Sequence, residues 1–240
     1  MLSGNPMATH PPLWARIGSR VGRWLLNDER VYGELDAAAR ARFDWLRVLP
    51  FVAIHLACLA VIEVGISAVA VFVALGLYVA RMFFVTAFFH RYFAHRAFRA
   101  SRAVQFAMAV LGCTAGQRGP LWWAGHHREH HIASDTAADP HSPARHGFWF
   151  SHTLWFLTRG SFATPAHRVR DWRHYTELRW LERFDWLPFV ALAGACWALG
   201  AWLESSAPAL GTNGPQMLVW GFFISTVVLY HATYTINSLA

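Results

Sequence analysis

The chain of 240 residues is apolar and basic: 55% of its residues are hydrophobic, 15% are charged, and its formal net charge is +7 at pH 7. Soluble domains carry about a quarter charged residues, so this composition favours a membrane protein. All of the basic residues are arginines that lie beside apolar runs, which argues against a nucleic-acid-binding surface. Cys58, Cys113 and Cys196 lie in apolar segments without CxxC pairing, so we expect buried free thiols.

The apolar run at 48–80 is longer than the roughly 20 residues with which one helix crosses a bilayer. Glu63–Ser67 interrupts the run and predicts a tight turn between two spans. A second apolar pair follows near the C-terminal end, with a Gly- and Pro-containing connection. The predicted spans lie at about 46–62, 68–89, 186–203 and 217–236. The short apolar segment 101–117 predicts a buried or interfacial helix.

The arginines orient these spans. Neither connection inside a hairpin carries an arginine, whereas segment 1–45 and the stretch 91–183 carry nearly all of them. By the positive-inside rule, the arginine-rich parts face the cytoplasm. The sequence therefore predicts an all-α integral membrane protein with four transmembrane helices in two hairpins. A cytoplasmic N-terminal segment (1–45), both chain ends and a helical cap that carries the histidines are expected on the cytoplasmic side.

Five of the 14 histidines form two motifs next to predicted spans. His127, His130 and His131 form H-x2-HH, and residues three and four apart share a helix face, so we expect one common site for the three imidazoles. His90 and His95 form H-x4-H. At about 100° per residue they would lie roughly 140° apart on a regular helix, which suits two neighbouring metal ions better than one.

The residue type alone does not name the metal, because imidazole binds zinc, copper, nickel and iron. The lack of nearby cysteines and the scarcity of carboxylates argue against a structural zinc site. His55 lies inside the first predicted span, where an ionisable group indicates a function by default. Without a visible partner, we expect His55 to have a neutral, hydrogen-bonded packing role.

The two histidine motifs belong to a longer ordered pattern, which comprises Arg81–Thr86, His90–Arg96, Gly119–Trp123, Asp139–Pro143, Gly147–His152 and Thr235–Ala240. This pattern resembles the membrane fatty-acid desaturases of the stearoyl-CoA delta-9 type and their bacterial relatives. The resemblance extends from about Arg81 to Ala240. It implies an O2-dependent oxidoreductase that introduces a cis double bond into a long acyl chain with two iron ions.

The resemblance also assigns residues and partners. The implied iron ligands are His90, His95, His127, His130 and His131, with Asn237 acting through water. Gln117, Trp123 and Thr233 would shape a kinked acyl tunnel, and Arg159 would lie near the phosphates of CoA. Interfacial anchoring of Trp123 and an ordinary surface role of Arg159 are the alternatives. The implied partners are acyl-CoA or another acyl carrier, an electron donor of the ferredoxin or cytochrome b5 type, and membrane lipid.

The sequence departs from the family pattern in two places. The family continues after Asn-Ser-x-Ala with a histidine and later a third histidine box, so we expect the desaturase domain (46–240) to be incomplete and inactive as this fragment. His231 lies about ten residues too early to replace that histidine. Gly125 and His126 stand where animal acyl-CoA enzymes carry Arg-Asp, which weakens the case for CoA. A related di-iron membrane hydroxylase and a non-catalytic truncated desaturase remain alternatives.

Overall fold

The computed structural model describes residues 13–134 and 136–239, with the backbone alone at 13–16, 29 and 237. The described part is helical and contains no strand; one isolated antiparallel bridge joins Phe43 to Thr158. The helices are α1 Leu13–Leu25, α2 Ala37–Ala41, α3 Trp45–Val64, α4 Ala68–Ala94, α5 Arg102–Cys113, α6 Pro120–Ala133, α7 Pro143–His146, α8 Thr176–Arg183, α9 Trp186–Ser206 and α10 at 214–239. Single turns connect them at Glu29–Val31, Phe150–Leu154, Trp155–Leu157, Arg159–Ser161, Ala166–Arg168 and Pro208–Leu210.

Within the described ranges, four helices are long and apolar enough to cross a membrane: α3, α4, α9 and α10 as far as Ile236. This confirms the predicted fold class of two helical hairpins. The first turn uses Gly65 at φ +65° to end α3, and Ser67 caps α4 by accepting a hydrogen bond from the backbone N–H of Ala70 at 3.1 Å. Gln216 donates to the carbonyl of Val64 at 2.9 Å and ties the hairpins together at that end.

The two hairpins also meet at a buried guanidinium. Arg81 of α4 is 1% exposed and donates to Ser225 Oγ at 2.6 Å and to Thr226 Oγ1 at 2.8 Å, both on α10. Two carbonyls, of Leu77 and Thr114, complete its partners. No ion pair to Arg81 occurs among the residues described. The charge is thus solvated by hydroxyl and carbonyl oxygens instead of a carboxylate.

A helical cap surrounds the end of α4. Its core contains fully buried Phe89, Phe93, Leu121, Leu178 and Leu181, contributed by α4, α6 and α8. The helix predicted at 101–117 is confirmed as α5, which Ser101 caps at the N–H of Val104. Gly112 lets α5 approach α4 closely, because a Cβ at this position would overlap the ring of Phe89. The free cysteines are confirmed; Cys113 and Cys196 are buried and Cys58 is partly exposed.

Candidate metal centre

The end of α4 is wound as a π-helix over the 11 residues Phe84–Ala94. The backbone N–H of His95 closes this segment by donating to the carbonyl of His90 at 3.1 Å, a bond across five residues. The wider turn brings the two imidazoles to the same side, and their Nε2 atoms lie 3.0 Å apart. The expectation that His90 and His95 point apart was wrong, because it assumed α-helical winding.

The second motif, H-x2-HH, lies on α6, and its imidazoles point in two different directions. His131 turns towards His127, with 3.0 Å between their Nε2 atoms, whereas His130 faces Asp139. On an α-helix His130 and His131 flank His127 on opposite sides and diverge by about 100°. The prediction of one common site for all three imidazoles was therefore wrong for His130.

Four imidazoles converge where α4 meets α6. His127 Nε2 also lies 3.0 Å from His95 Nε2, and the ligand nitrogens of His90, His95, His127 and His131 all lie within 4.8 Å of one another. Burial, followed by the neighbouring imidazoles, lowers the pKa of His127 to about 2, and burial also lowers the pKa of His131. The lowered pKa values keep the imidazoles of His127 and His131 neutral at pH 7 with a lone pair for a metal, and the four ligand nitrogens lie close enough to hold one ion.

A second, smaller group contains His130, Asp139 and His141, which could also hold an ion. Asp139 is 1% exposed and lies 2.8 Å from His130 Nδ1, which leaves Nε2 of His130 as the available ligand atom. His141 is 6% exposed, contacts Trp155 edge-on, and has its pKa lowered to about 4 by burial. Asp139 and His141 were not predicted as site residues, although both lie in the Asp139–Pro143 motif.

Arg128 fixes α6 against the π-helical end of α4. Its guanidinium forms two hydrogen bonds with the carboxylate of Asp171, at 2.9 and 3.0 Å. The same group donates to the carbonyls of Phe93 at 2.6 Å and Ala94 at 2.8 Å. Such charge-assisted, multidentate contacts are strong and directional. They hold the two histidine-bearing helices in a fixed register.

A cavity of about 270 Å³ lies beside the four imidazoles and is lined by His90 and His127. Gln117, Trp123 and Thr233 lie together in its wall. Gln117 Nε2 donates to Thr233 Oγ1 at 3.1 Å, and Trp123 Nε1 donates to Gln117 Oε1 at 3.4 Å. The structure thus brings together the three residues that the resemblance placed at a tunnel. Their role in substrate binding stays a prediction.

The cavity has both apolar and polar lining residues. Met82 and Val85 are apolar, whereas His126 and His141 carry polar ring nitrogens. His126 lies 3.1 Å from the carbonyl of Ala163, and burial lowers its pKa to about 3. A mostly apolar lining with a few polar groups suits a largely apolar ligand.

Two predicted site residues lie elsewhere. Arg159 does not line this cavity; its guanidinium stacks over the ring of Tyr32 at 5.3 Å, beside a separate surface recess. Asn237 lies on α10, but its side chain is outside the described residues. The functions predicted for both remain predictions.

No model of a known protein family matches the chain. Individual relatives do match. It is 31% identical to the sn-1 stearoyl-lipid 9-desaturase of Anabaena variabilis over 208 residues, which cover 84% of this chain and 70% of the relative. It is 33% identical to the sn-1 stearoyl-lipid 9-desaturase of Synechocystis sp., covering 81% of the chain and 58% of the relative. An acyl-CoA 5-desaturase of Anemone leveillei is 31% identical, covering 78% and 54% respectively.

These relatives share an enzyme class and differ in the acyl carrier that their names state. The identity to the Anabaena variabilis protein extends over most of both chains. The four apolar helices and the histidine group agree with this relationship. The chain is therefore a membrane protein that belongs to the fatty-acid desaturase family.

Proposed function

We propose that this protein introduces a cis double bond into a long acyl chain, with O2 as co-substrate and iron held by the histidines. The observation that carries the proposal is the contact between the cavity and the metal centre. His90 and His127 line the cavity and also belong to the four-imidazole group, so a bound chain passes directly beside the metal position. Iron bound there would supply an oxidant for an unactivated C–H bond, which no side-chain acid or base can attack.

The protein residues bind and orient the acyl chain and exclude water. Met82 and Val85 provide an apolar surface, and the side chains of Gln117, Trp123 and Thr233, linked by hydrogen bonds, form another part of the wall. A hydrogen-bonded wall restricts the chain to a few conformations, so one methylene is held near the imidazoles. His130, oriented by Asp139, is proposed as a ligand of a second iron, together with Asn237 through water.

We propose a lipid-linked acyl chain as the substrate. A Cβ at Gly125 would lie only 3.0 Å from Cδ of Pro165, so the arginine of animal acyl-CoA enzymes would fit here only if Pro165 shifted by a few tenths of an ångström. His126 is neutral and hydrogen-bonded to a carbonyl, and it therefore carries no charge for a phosphate. Several relatives are named acyl-lipid desaturases, whereas others are named acyl-CoA desaturases. The lack of a positive charge at positions 125 and 126 favours an acyl-lipid substrate over acyl-CoA.

The proposed orientation places the histidines in the cytoplasm, where an electron-donor protein of the ferredoxin or cytochrome b5 type can reach them. The arginine distribution supports this arrangement. Single cysteines at Ser206, the last residue of α9, and at His146, in the cap, test it. An impermeant thiol reagent should label the first in intact cells and the second only after lysis. The reverse labelling would overturn the orientation.

Expression of the natural gene product in a host without desaturases tests the activity. Fatty-acid profiles should show a new monounsaturated product, which His127→Ala and His131→Ala abolish and the exposed control His146→Ala retains. Labelled acyl groups supplied as membrane glycerolipid or as acyl-CoA separate the two carriers. A hydroxylated product would identify a hydroxylase instead. Normal desaturation by His127→Ala would remove the four-imidazole group from the mechanism.

A further inference from the structure

Three histidines and a serine form a hydrogen-bonded chain apart from the four-imidazole group. His231 of α10 stands in the middle, with its Nε2 3.1 Å from Nε2 of His55 on α3. Its Nδ1 lies 3.0 Å from Nε2 of His152, in the turn Phe150–Leu154. The Nδ1 atom of His152 lies 2.9 Å from Ser238 Oγ at the end of α10. We refer to His55, His231, His152 and Ser238 as the histidine chain.

The direction of the bonds between the imidazoles follows from one carbonyl when the three rings are neutral. His55 Nδ1 lies 2.7 Å from the carbonyl of Phe51, which only accepts, so this nitrogen carries the hydrogen. A neutral imidazole has one N–H and one lone pair, so His55 Nε2 accepts from His231 Nε2–H. By the same rule His231 Nδ1 accepts from His152 Nε2–H. The Ser238 hydroxyl lies 2.9 Å from His152 Nδ1 and 3.1 Å from the carbonyl of Tyr234, and its single hydrogen goes to one of the two. With neutral rings, each imidazole has one defined tautomer.

The histidine chain is not a metal site. The outer imidazoles contact opposite nitrogens of His231, so no single ion can bind all three rings. The groups able to hold an ion in the described part of the protein do not include these residues. Its end at the Phe51 carbonyl, within a helix, also offers no onward proton acceptor. Its effect is therefore to hold three segments together.

The segment that it holds forms part of the cavity wall. His152 contacts α10 at His231 and at Ser238, positions that are seven residues or about 10 Å apart along the helix. Thr233 and Tyr234 lie between these contacts, and both line the cavity. The ring of His152 also stacks on His231 at 5.3 Å and meets Tyr234 edge-on at 5.7 Å.

We propose that His55, His152 and His231 are positioning residues that fix the Thr233–Tyr234 wall and thereby select the acyl carbon at which the double bond forms. The inference rests on the proposed function. Fully satisfied buried polar networks specify one packing arrangement. Reacting groups misplaced by about 1 Å lose on the order of 100-fold in rate, so small movements of this wall change which methylene reacts.

Paired substitutions at position 231 test the role. His231→Phe keeps an aromatic ring but removes both hydrogen bonds, whereas His231→Gln keeps one donor and one acceptor. The exposed control is His146→Phe. We expect His231→Phe to lower total product about tenfold and to raise the proportion of a second positional isomer, with His231→Gln within about twofold of the unmodified protein. Positional isomers are quantified by mass spectrometry, and product is normalised to protein in the membrane.

Nitrogen-15 NMR of histidine-labelled protein in membranes tests the chain without any activity. His55 should carry its hydrogen on Nδ1, and His152 and His231 should carry theirs on Nε2. Other tautomers, or a charged His231, would overturn the assignment. If the unmodified protein makes no unsaturated product, the proposed function falls, and the tautomers alone then decide whether the chain exists.

The activity test has equally definite outcomes. An unchanged isomer ratio in His231→Phe, or equal damage by His231→Gln, would overturn the positioning role. If His231→Phe does not accumulate, Ser238→Ala replaces it, because this variant removes only the terminal hydroxyl. A smaller shift of the isomer ratio in the same direction is expected from Ser238→Ala, and an unchanged ratio counts against the proposal.

Discussion

His90 and His95 face each other with 3.0 Å between their Nε2 atoms, although five positions separate them in the chain. The π-helical winding of Phe84–Ala94 produces this contact, because a helix with bonds across five residues brings such positions onto one side. π-Helical turns inside α-helices are frequently found at functional sites. Here the π-helical winding places two of the four imidazoles, those of His90 and His95, next to each other.

His127 should be the most sensitive member of that group. Its Nε2 lies 3.0 Å from both His95 and His131, so His127→Ala removes the central donor. We expect the affinity of the group for a divalent metal to fall by on the order of 100-fold, measured by cobalt titration of purified protein. His130→Ala is the matched control on the same helix. An equal loss of affinity in His130→Ala would contradict the division of the motif between two groups.

Thr233→Val should alter the cavity wall without altering its shape. The substitution removes the hydroxyl that accepts from Gln117 and costs about 1 kcal/mol of stability. We expect a broader distribution of double-bond positions, measured by mass spectrometry. Thr235→Val is the control on the same helix, because the hydroxyl of Thr235 donates to the helix carbonyl of His231 and Thr235 does not line the cavity. Equal effects of the two variants would remove Thr233 from substrate selection.

The stability of the fold around the buried guanidinium of Arg81 should depend on the hydroxyl groups that accept its hydrogen bonds. Thr226 is fully buried, and Thr226→Val leaves a buried guanidinium with one fewer acceptor, at a cost of about 2–3 kcal/mol. The loss is measured as a lower thermal unfolding temperature in detergent. In Arg81→Met the same Thr226→Val change should cost much less, because the charge is gone. Additive effects in the double variant would show that the two side chains are not coupled.

Glu182 should make stability depend on pH. Its carboxyl accepts from the N–H of Leu121 at 3.1 Å, near the start of α6, and from Thr164 Oγ1 at 2.6 Å. Burial, followed by Asp185, raises the pKa of Glu182 to about 7 from its ordinary value of 4.5. The folded protein therefore binds this proton more tightly than the unfolded chain, and the stabilisation present below pH 4.5 is lost as the pH rises through about 7.

Unfolding temperatures measured across this range check the effect. Glu182→Gln mimics the protonated carboxyl and should show a flatter dependence on pH, with a higher unfolding temperature than the unmodified protein above pH 7. Glu204→Gln, in an exposed position at the end of α9, should leave the dependence unchanged. A steep dependence that persists in Glu182→Gln would assign the effect to another group.

The positions of the membrane-spanning helices along the chain could be predicted, because they depend on local sequence signals. Apolar runs of membrane-spanning length define α3, α4, α9 and α10, and residues such as Ser67 and Asn213 cap the helices that follow them. The neighbourhood of Gln117, Trp123 and Thr233 was predictable only through the family resemblance. Thr233 lies far along the chain from Gln117 and Trp123, and their spacing does not indicate that they meet in the folded protein.

Two physical causes explain the features of the site that could not be predicted from the sequence. Winding is one: no residue within Phe84–Ala94 signals a π-helix, so the angle between His90 and His95 could not be derived from the sequence. Tertiary packing is the other. The contact between Asp139 and His130, and that between His55 and His231, join separate segments that meet only in the folded protein.

The division of the site between segments also orders its assembly. His90, His95, His127 and His131 belong to the first hairpin and the cap, whereas Thr233 and Tyr234 come from the last helix. During synthesis, the metal-binding half is complete before the helix that closes the cavity has entered the membrane. Metal can therefore be acquired by an open, water-accessible group, and the apolar chamber closes around it afterwards. Metal binding by the four imidazoles therefore does not depend on α10, whereas the proposed second iron position, which includes Asn237, does.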